Sequence, residues 1–316
     1  MGLDLEKVKA LAARLQGEVL FNEPLSKHTY YRIGGPAAAL VFPKSLEDLQ
    51  VLQEHFQAAQ DPYFLLGQGS NLLVADEGFD GIVIRMSKFD ASIEPKATGQ
   101  VRTGASVVVS SFLRKCGQEG WGGLEFLTGI PGSMGGVIYM NGGTHLGEAK
   151  DALVEVELLG WSKGYRAVRG SELKFRYRAN EFIQPDEVVL SATWKYQLED
   201  PAQVKTRIDE VLVRRKSTQP LEYPSCGSVF KNPKETGLQA WQVVERLGLR
   251  GHRIGQAQIS EKHPNWIVNL GGAKAADVKA LIELVKARAQ TELKVELHEE
   301  VRYLSNQTWR DRYVPT

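Results

Sequence analysis

Two glycine-rich loops constrain this chain more than any other feature: Gly67-Gln68-Gly69-Ser70-Asn71-Leu72-Leu73 and Gly129-Ile130-Pro131-Gly132-Ser133-Met134-Gly135-Gly136. Backbone without side chains can approach a ligand closely, and successive N–H groups in such loops form concavities that hold anions. Two of them in one half of the chain suit a pyrophosphate, and Asn141-Gly142-Gly143 prolongs the second. A Rossmann turn is excluded for the first loop. That turn needs G-x-G-x-x-G opening a helix, whereas here Leu72 takes the third glycine position, and the flanks Tyr63–Leu66 and Ile82–Ile84 read as strands. Each loop taken alone could equally be a plain structural turn.

Apolar residues at helical spacing predict a helix over Leu5–Leu15, and Ser45-Leu46-Glu47-Asp48 has the form of a helix start before Leu49, Val51 and Leu52. Strands are expected at Leu153–Leu159 and Val188–Trp194. A helix is expected from Pro201 to about Lys216, with proline at its first position and Arg214 and Arg215 in its last turn. The composition shifts through Gln219–Pro224, read as a domain junction. Beyond it, helices near Leu238–Leu247 and Ala275–Gln290, a strand at Trp266–Asn269 and another at the C-terminus predict a compact α+β domain.

The composition excludes several function classes. Of 316 residues, 42% are hydrophobic and 24% charged, as in an ordered globular protein. Lys plus Arg (39) nearly cancels Asp plus Glu (38), so no global field favours nucleic acid or a membrane surface. The sequence offers no membrane span and no basic-then-apolar leader. Cys116 and Cys226 have no metal-binding or disulfide-framework spacing, so no metal is expected and a reducing cytoplasm fits best.

Residues 223–233, Tyr-Pro-Ser-Cys-Gly-Ser-Val-Phe-Lys-Asn-Pro, place the hydroxyl of Ser228 on a glycine turn, with Lys231 and Asn232 just beyond. A serine so placed can pass a proton to a reacting carbon while polar neighbours hold an anionic substrate. The bland alternative is a Gly-Ser turn leading into a strand.

Together with Thr29-Tyr30-Tyr31-Arg32-Ile33-Gly34-Gly35, Tyr177-Arg178, Ser260-Glu261-Lys262-His263 and Leu297-His298-Glu299-Glu300-Val301-Arg302, these motifs make the chain resemble the UDP-N-acetylenolpyruvoylglucosamine reductases over nearly its whole length. The resemblance implies an α+β protein with a two-part FAD-binding region of the vanillyl-alcohol-oxidase type and a smaller α+β substrate domain. The expected division is 1–80 and 81–218 for the two FAD-binding parts, 219–302 for the substrate domain and 303–316 for a tail.

The resemblance further implies that NADPH reduces bound FAD. The flavin then passes its hydride to UDP-N-acetylglucosamine enolpyruvate, giving UDP-N-acetylmuramate for peptidoglycan synthesis. By motif position Ser228 is the expected proton donor, with Arg178 and Glu300 as its catalytic companions. FAD contacts are expected from Gly67, Gly69, Ser70, Asn71, Leu72, Gly129, Ile130, Pro131, Gly132, Ser133, Gly136, Asn141 and Gly142, without a covalent tether because the loops lack His and Cys. Lys216, Asn232 and Tyr177 are the expected substrate contacts; His263 is either another or a satisfied structural residue before Pro264. NADPH and the UDP-sugar are expected to use one pocket in turn, with no obligate protein partner. Two departures stand out. Ser106 occupies a position where glycine is expected, and the span from Arg178 to Lys216 is too short for the loop that carries a tyrosine over the substrate in one subfamily. An oxidase of the same fold, or a non-catalytic nucleotide-sugar-binding protein, is the alternative.

Overall fold

The computed structural model describes residues 3–309 except 98 and 235. Three sheets organise it. The first runs in the order Glu18–Pro24, Pro36–Phe42, Phe79–Arg85, Tyr63–Leu66; its first pair is antiparallel and the other two parallel. The central strand Pro36–Phe42 is almost wholly buried, as a strand covered on both faces must be. Helix Leu46–Ala58 covers one face, and Ser45 caps it as expected, its side chain accepting from the Asp48 amide. The N-terminal helix is shorter than its apolar periodicity suggests, ending at Ala12.

The expected division at residue 80 falls inside Phe79–Arg85, which pairs with both Pro36–Phe42 and Tyr63–Leu66. That strand belongs to the first unit, which therefore runs to Arg85. The second sheet is antiparallel, in the order Gly164–Arg169, Leu153–Gly160, Glu187–Lys195, Gln100–Gly104, Ile93–Ala97. Helices Val109–Glu119 and Pro201–Thr218 pack on each other and share this sheet's hydrophobic core; the latter starts as read from the sequence, with Asp200 as cap and proline in its first turn. Ser106, at the unexpected non-glycine position, is buried, and its hydroxyl donates to the Met86 carbonyl, tying this sheet to the end of the first.

The third unit holds a small antiparallel sheet, Arg253–Ile254, Ala257–Ile259 and Ile267–Asn269, under helices Ala240–Arg246 and Ala275–Arg288. Its core includes Tyr31, Ile33 and Leu73 from the N-terminal unit. The fully buried Tyr31 donates its hydroxyl to the Ile267 carbonyl at 2.9 Å, and Asn269 Nδ2 donates to the Tyr31 carbonyl at 2.9 Å. Asp76 accepts from the amides of Ala275 and Ala276, so one unit caps a helix of another. The strand Arg302–Leu304 pairs in parallel with Leu72–Val74. What the sequence suggested as a tail thus begins as a structural strand; its residues 310–316 lie outside the described part. No helix among the described residues is long and apolar enough to cross a membrane.

Tyr31→Phe should cost about 1–3 kcal/mol in urea unfolding, because the Ile267 carbonyl is left without a partner inside the interface. An unchanged midpoint would mean that the docking does not depend on this bond.

Candidate active site

The first glycine loop joins Tyr63–Leu66 to Leu72–Val74, one strand earlier than the sequence suggests, since Ile82–Ile84 lies further on in Phe79–Arg85. Gly69 has φ +67 and lies so near the chain that a Cβ would fall 2.4 Å from the His28 carbonyl oxygen. The second loop enters the short helix Met134–Tyr139, capped by Ser133. Ser70 Oγ donates to the Pro131 carbonyl at 2.7 Å and so ties the loops together.

Between them lies a cleft of about 550 Å³, lined by residues 67–72, 130–133, Gly136, Gly142, Arg178, Ser228 and Glu300. A larger hollow of about 1140 Å³ shares Gly67, Ser133, Gly136 and Arg302 with the cleft and takes in Met86, Ala105 and Val188. A Cβ on Gly132 would come within 3.2 Å of Ser70 Oγ, and one on Gly67 within 3.3 Å of Ser133 Oγ. Bare backbone keeps this space clear. Two connected hollows walled by glycine backbone fit an extended dinucleotide such as FAD.

Arg178 occupies the two-residue turn between Phe175–Arg176 and Ala179–Asn180 with φ +55, a conformation that costs a non-glycine residue energy. Two buried or half-buried amides hold this hairpin in place. Asn141 Nδ2 donates to the Arg176 carbonyl at 3.1 Å, and Asn180 Nδ2 donates to the Tyr139 carbonyl at 2.8 Å. The guanidinium lies 5.1 Å from the Tyr177 ring centroid, and its Nε is 3.0 Å from Glu300 Oε1. This is an ion contact rather than an aligned hydrogen bond, because the Nε–H points at no acceptor.

Glu300 is brought here by backbone pairing. Its amide donates to the Val229 carbonyl at 2.8 Å, and its carbonyl accepts from Asn71 Nδ2 at 3.0 Å. Burial pushes its carboxyl above the ordinary range, opposed chiefly by Arg178 and then by Lys231. Lys231 is pulled below the usual lysine range by burial and by the neighbouring Arg302. Ser228 sits one residue before Val229, bridged to Trp266, on the turn set by Gly227 at φ +81. Ser228, Glu300 and Arg178 therefore face one cleft, although they come from three separate stretches of chain.

Other expected contacts are occupied elsewhere. Lys216 is exposed and away from the cleft, and its carbonyl accepts from Lys262 Nζ. Residues 211, 214, 215 and 218 of the same helix line the cleft instead, since they share a face at i, i+3, i+4 and i+7 that Lys216 does not. Asn232 is exposed, its Oδ1 accepting from the Ala240 amide at the start of a helix. His263 is held below the usual histidine range by burial, and its Nδ1 accepts from the Asn265 amide at 3.4 Å. Tyr177 lies beneath Arg178 rather than on the cleft wall. The Asn141 side chain is spent on Glu148, Arg176 and Lys150. Gly129 packs under Arg215. The sequence did not single out Arg215, Thr218, Gln239, Trp266 or His145 as cleft residues; only the helical face carrying the first two had a legible signal.

The family model described as UDP-N-acetylenolpyruvoylglucosamine reductase, C-terminal domain, matches residues 219–304, and one described as an FAD binding domain matches residues 37–165. The UDP-N-acetylenolpyruvoylglucosamine reductase of Geotalea uraniireducens is 39% identical over 92% of this chain and 96% of its own length. This chain belongs to the UDP-N-acetylenolpyruvoylglucosamine reductase family. That of Listeria innocua is also 39% identical, over 90% of this chain and 95% of its own. The crystal structure of the reductase from Thermus caldophilus superposes with a TM-score of 0.76 at 34% identity, covering 92% of this chain and all of the other. The protein is an FAD-dependent oxidoreductase, and its two-part FAD-binding region with a smaller α+β domain is the architecture expected from the sequence.

The raised carboxyl of Glu300 gives a pH-dependent signature. In infrared difference spectra of wild type against Glu300→Gln, the Glu300 band should titrate above the usual carboxylate range, and Arg178→Met should move it higher still, because the largest opposing charge is lost. A downward move, or none, would show that Arg178 does not hold the ionised form.

Proposed function

We propose that the protein reduces UDP-N-acetylglucosamine enolpyruvate to UDP-N-acetylmuramate with NADPH as hydride donor, supplying peptidoglycan precursor synthesis in the cytoplasm. The observation that carries this reading is the convergence of Ser228, Glu300 and Arg178 on the cleft between the glycine loops. When bound, FAD supplies two-electron hydride transfer. The glycine loops at 67–72 and 129–136 would hold its diphosphate on their backbone N–H groups, and no covalent tether is expected. Cys226 lines the cleft, but burial pushes its thiol well above the usual range, which leaves it a poor nucleophile.

The chain's own residues act on the substrate. Hydride arrives at one carbon of the enol ether, and negative charge develops on the neighbouring carbon and its carboxylate. Arg178, held in its strained turn, offers positive charge to that carboxylate. Ser228 Oγ gives its proton to the carbon, and Glu300, whose carboxyl burial shifts toward holding its proton, is the group in the cleft that returns one to the hydroxyl. NADPH and the UDP-sugar occupy the same cleft in turn, since the chain carries no separate dinucleotide fingerprint. The hairpin of Gly143–Thr144 and Gly147–Glu148 places Thr144 and His145 on the cleft rim, where they would flank a bound sugar in the absence of a tyrosine loop.

Ser228→Ala should leave anaerobic bleaching of the flavin by NADPH nearly intact and slow its reoxidation by the UDP-sugar roughly 10²–10⁴-fold. Ser228→Cys should recover part of that loss, because a thiol still carries a transferable proton. Stopped-flow traces of the separate half-reactions decide it: equal slowing of both would make Ser228 a shaper of the pocket, and normal reoxidation in the alanine variant would remove it from the mechanism.

A further inference from the structure

We propose that His28 is a positioning residue for the first glycine loop: its neutral imidazole, held between Glu23 and Arg85, fixes the backbone against which Gly67–Asn71 is seated, and FAD binding weakens when the ring gains a proton. His28 closes the short turn Leu25–His28, and its side chain keeps 12% of its surface exposed, so its contacts are made with protein. Arg85 Nη1 donates to His28 Nδ1, and His28 Nε2 donates to Glu23 Oε1 at 3.0 Å. Arginine has no acceptor atom, so this pair of bonds exists only while Nδ1 is bare and the proton sits on Nε2. A second proton would set N–H against N–H and cation against cation.

The clamp spans one strand and meets the loop at two points. Glu23 lies on Glu18–Pro24 and Arg85 on Phe79–Arg85, with Pro36–Phe42 between them, and the imidazole packs on Phe42 of that middle strand, 5.9 Å between ring centroids. Arg85 is in register with Leu66, the residue before Gly67. The His28 carbonyl lies against Gly69, where a Cβ would collide with it, and the Tyr30 amide donates to the Gly69 carbonyl at 3.0 Å. Ser70 then ties this loop to the second one. A shift of His28 or Arg85 therefore reaches the backbone that walls the cleft.

The charges around the ring decide what its protonation does. Burial pulls Arg85 below the usual arginine range, opposed by Tyr30, and its buried Nε has no acceptor among the described residues, so the bond to His28 Nδ1 is one it loses at a cost. Glu23 pulls the other way, since it holds a charged ring as well as a neutral one, but it is shared with Lys27 at 3.4 Å. Lys88 lies 4.8 Å from the centroid of the Phe42 ring and is paired with Glu18. With the cations Lys27, Arg85 and Lys88 around it against the carboxylates Glu23 and Glu18, a charged ring drives the clamp apart. The neutral ring is the form that seats the loop, so FAD affinity is full above the range in which histidines titrate and is lost as the pH falls through it. FAD binding, not the reaction proposed above, is what His28 governs.

Full-length protein stripped of flavin is titrated with FAD, followed by flavin fluorescence, at about pH 7.5 and about pH 5.5, on either side of the histidine range. Wild type should lose about five- to tenfold in FAD affinity at the lower pH. His28→Gln has an amide that can accept from Arg85 or donate to Glu23 but takes no proton; it should bind within about threefold of wild type at the higher pH and equally well at both. His28→Leu should bind weakly at both. His145→Asn, at the cleft rim, should keep the wild-type loss. Amide exchange in unaltered flavin-free protein, corrected for the intrinsic chemical rate, reads the same event without a variant: protection of the Tyr30 amide, bonded to Gly69, should fall at the lower pH more than that of the Ile82 amide, bonded to Pro62. If His28→Gln does not fold, this exchange decides alone. Equal FAD affinity at the two pH values, a loss that persists in His28→Gln or vanishes in His145→Asn, or Tyr30 protection that tracks Ile82 would overturn the proposal.

Discussion

The site depends on one pairing between distant parts of the chain: Arg302–Leu304 lies parallel to Leu72–Val74. The Arg302 amide donates to the Asn71 carbonyl at 3.1 Å, and the Ala75 amide donates to the Leu304 carbonyl at 2.9 Å. Asn71 belongs to the first glycine loop, and Glu300 lies two residues before Arg302. The same few bonds that close the fold therefore set the distance between the first glycine loop and the Glu300 carboxyl that lines the cleft with it. Parallel strands need a long connection between them, and here that connection is most of the protein.

The docking of the third unit supports this pairing from behind. Tyr31, Asn269 and Asp76 use polar atoms across the interface, while Ile33 and Leu73 join the apolar core of the third unit. Once the unit is seated, Ser228 follows, because Ser228 and Phe230 are bridged to Trp266 and Glu299 and Val229 accepts from the Glu300 amide. The electrostatics follow from the same geometry. Glu300 is buried by its own docking, and its nearest compensating charge, Arg178, comes from a hairpin of the second unit. No single unit contains a complete site.

Much of this was legible in the sequence, and the failures share a physical cause. The glycine loops excluded a Rossmann turn because the pattern itself was wrong, and the Ser45 cap and the Pro201 helix start are local features that need no tertiary information. The match of Arg178, Glu300 and Ser228 to the family's motifs was sufficient to bring three remote residues to one cleft. Spacing along the chain does not fix rotation about a helix, however, so Lys216 was expected where Arg215 and Thr218 line the wall. Polar residues near a site also serve the scaffold: Asn232 caps a helix, Asn141 pins a hairpin, and His263 accepts a bond from its own turn. The boundary at residue 80 failed because a strand pattern does not reveal which sheet the strand will join.

Native-state hydrogen exchange at the chain closure tests the central claim most directly. If the pairing of residues 72–74 with 302–304 unites the units, the amides of Arg302 and Ala75 should open with the same free energy as those of Ile259 and Val229 in the third unit, in one cooperative step. Rapid local exchange of Arg302 and Ala75 while Ile259 and Val229 stay protected would contradict it, and would mean that Glu300 is placed by its own unit alone.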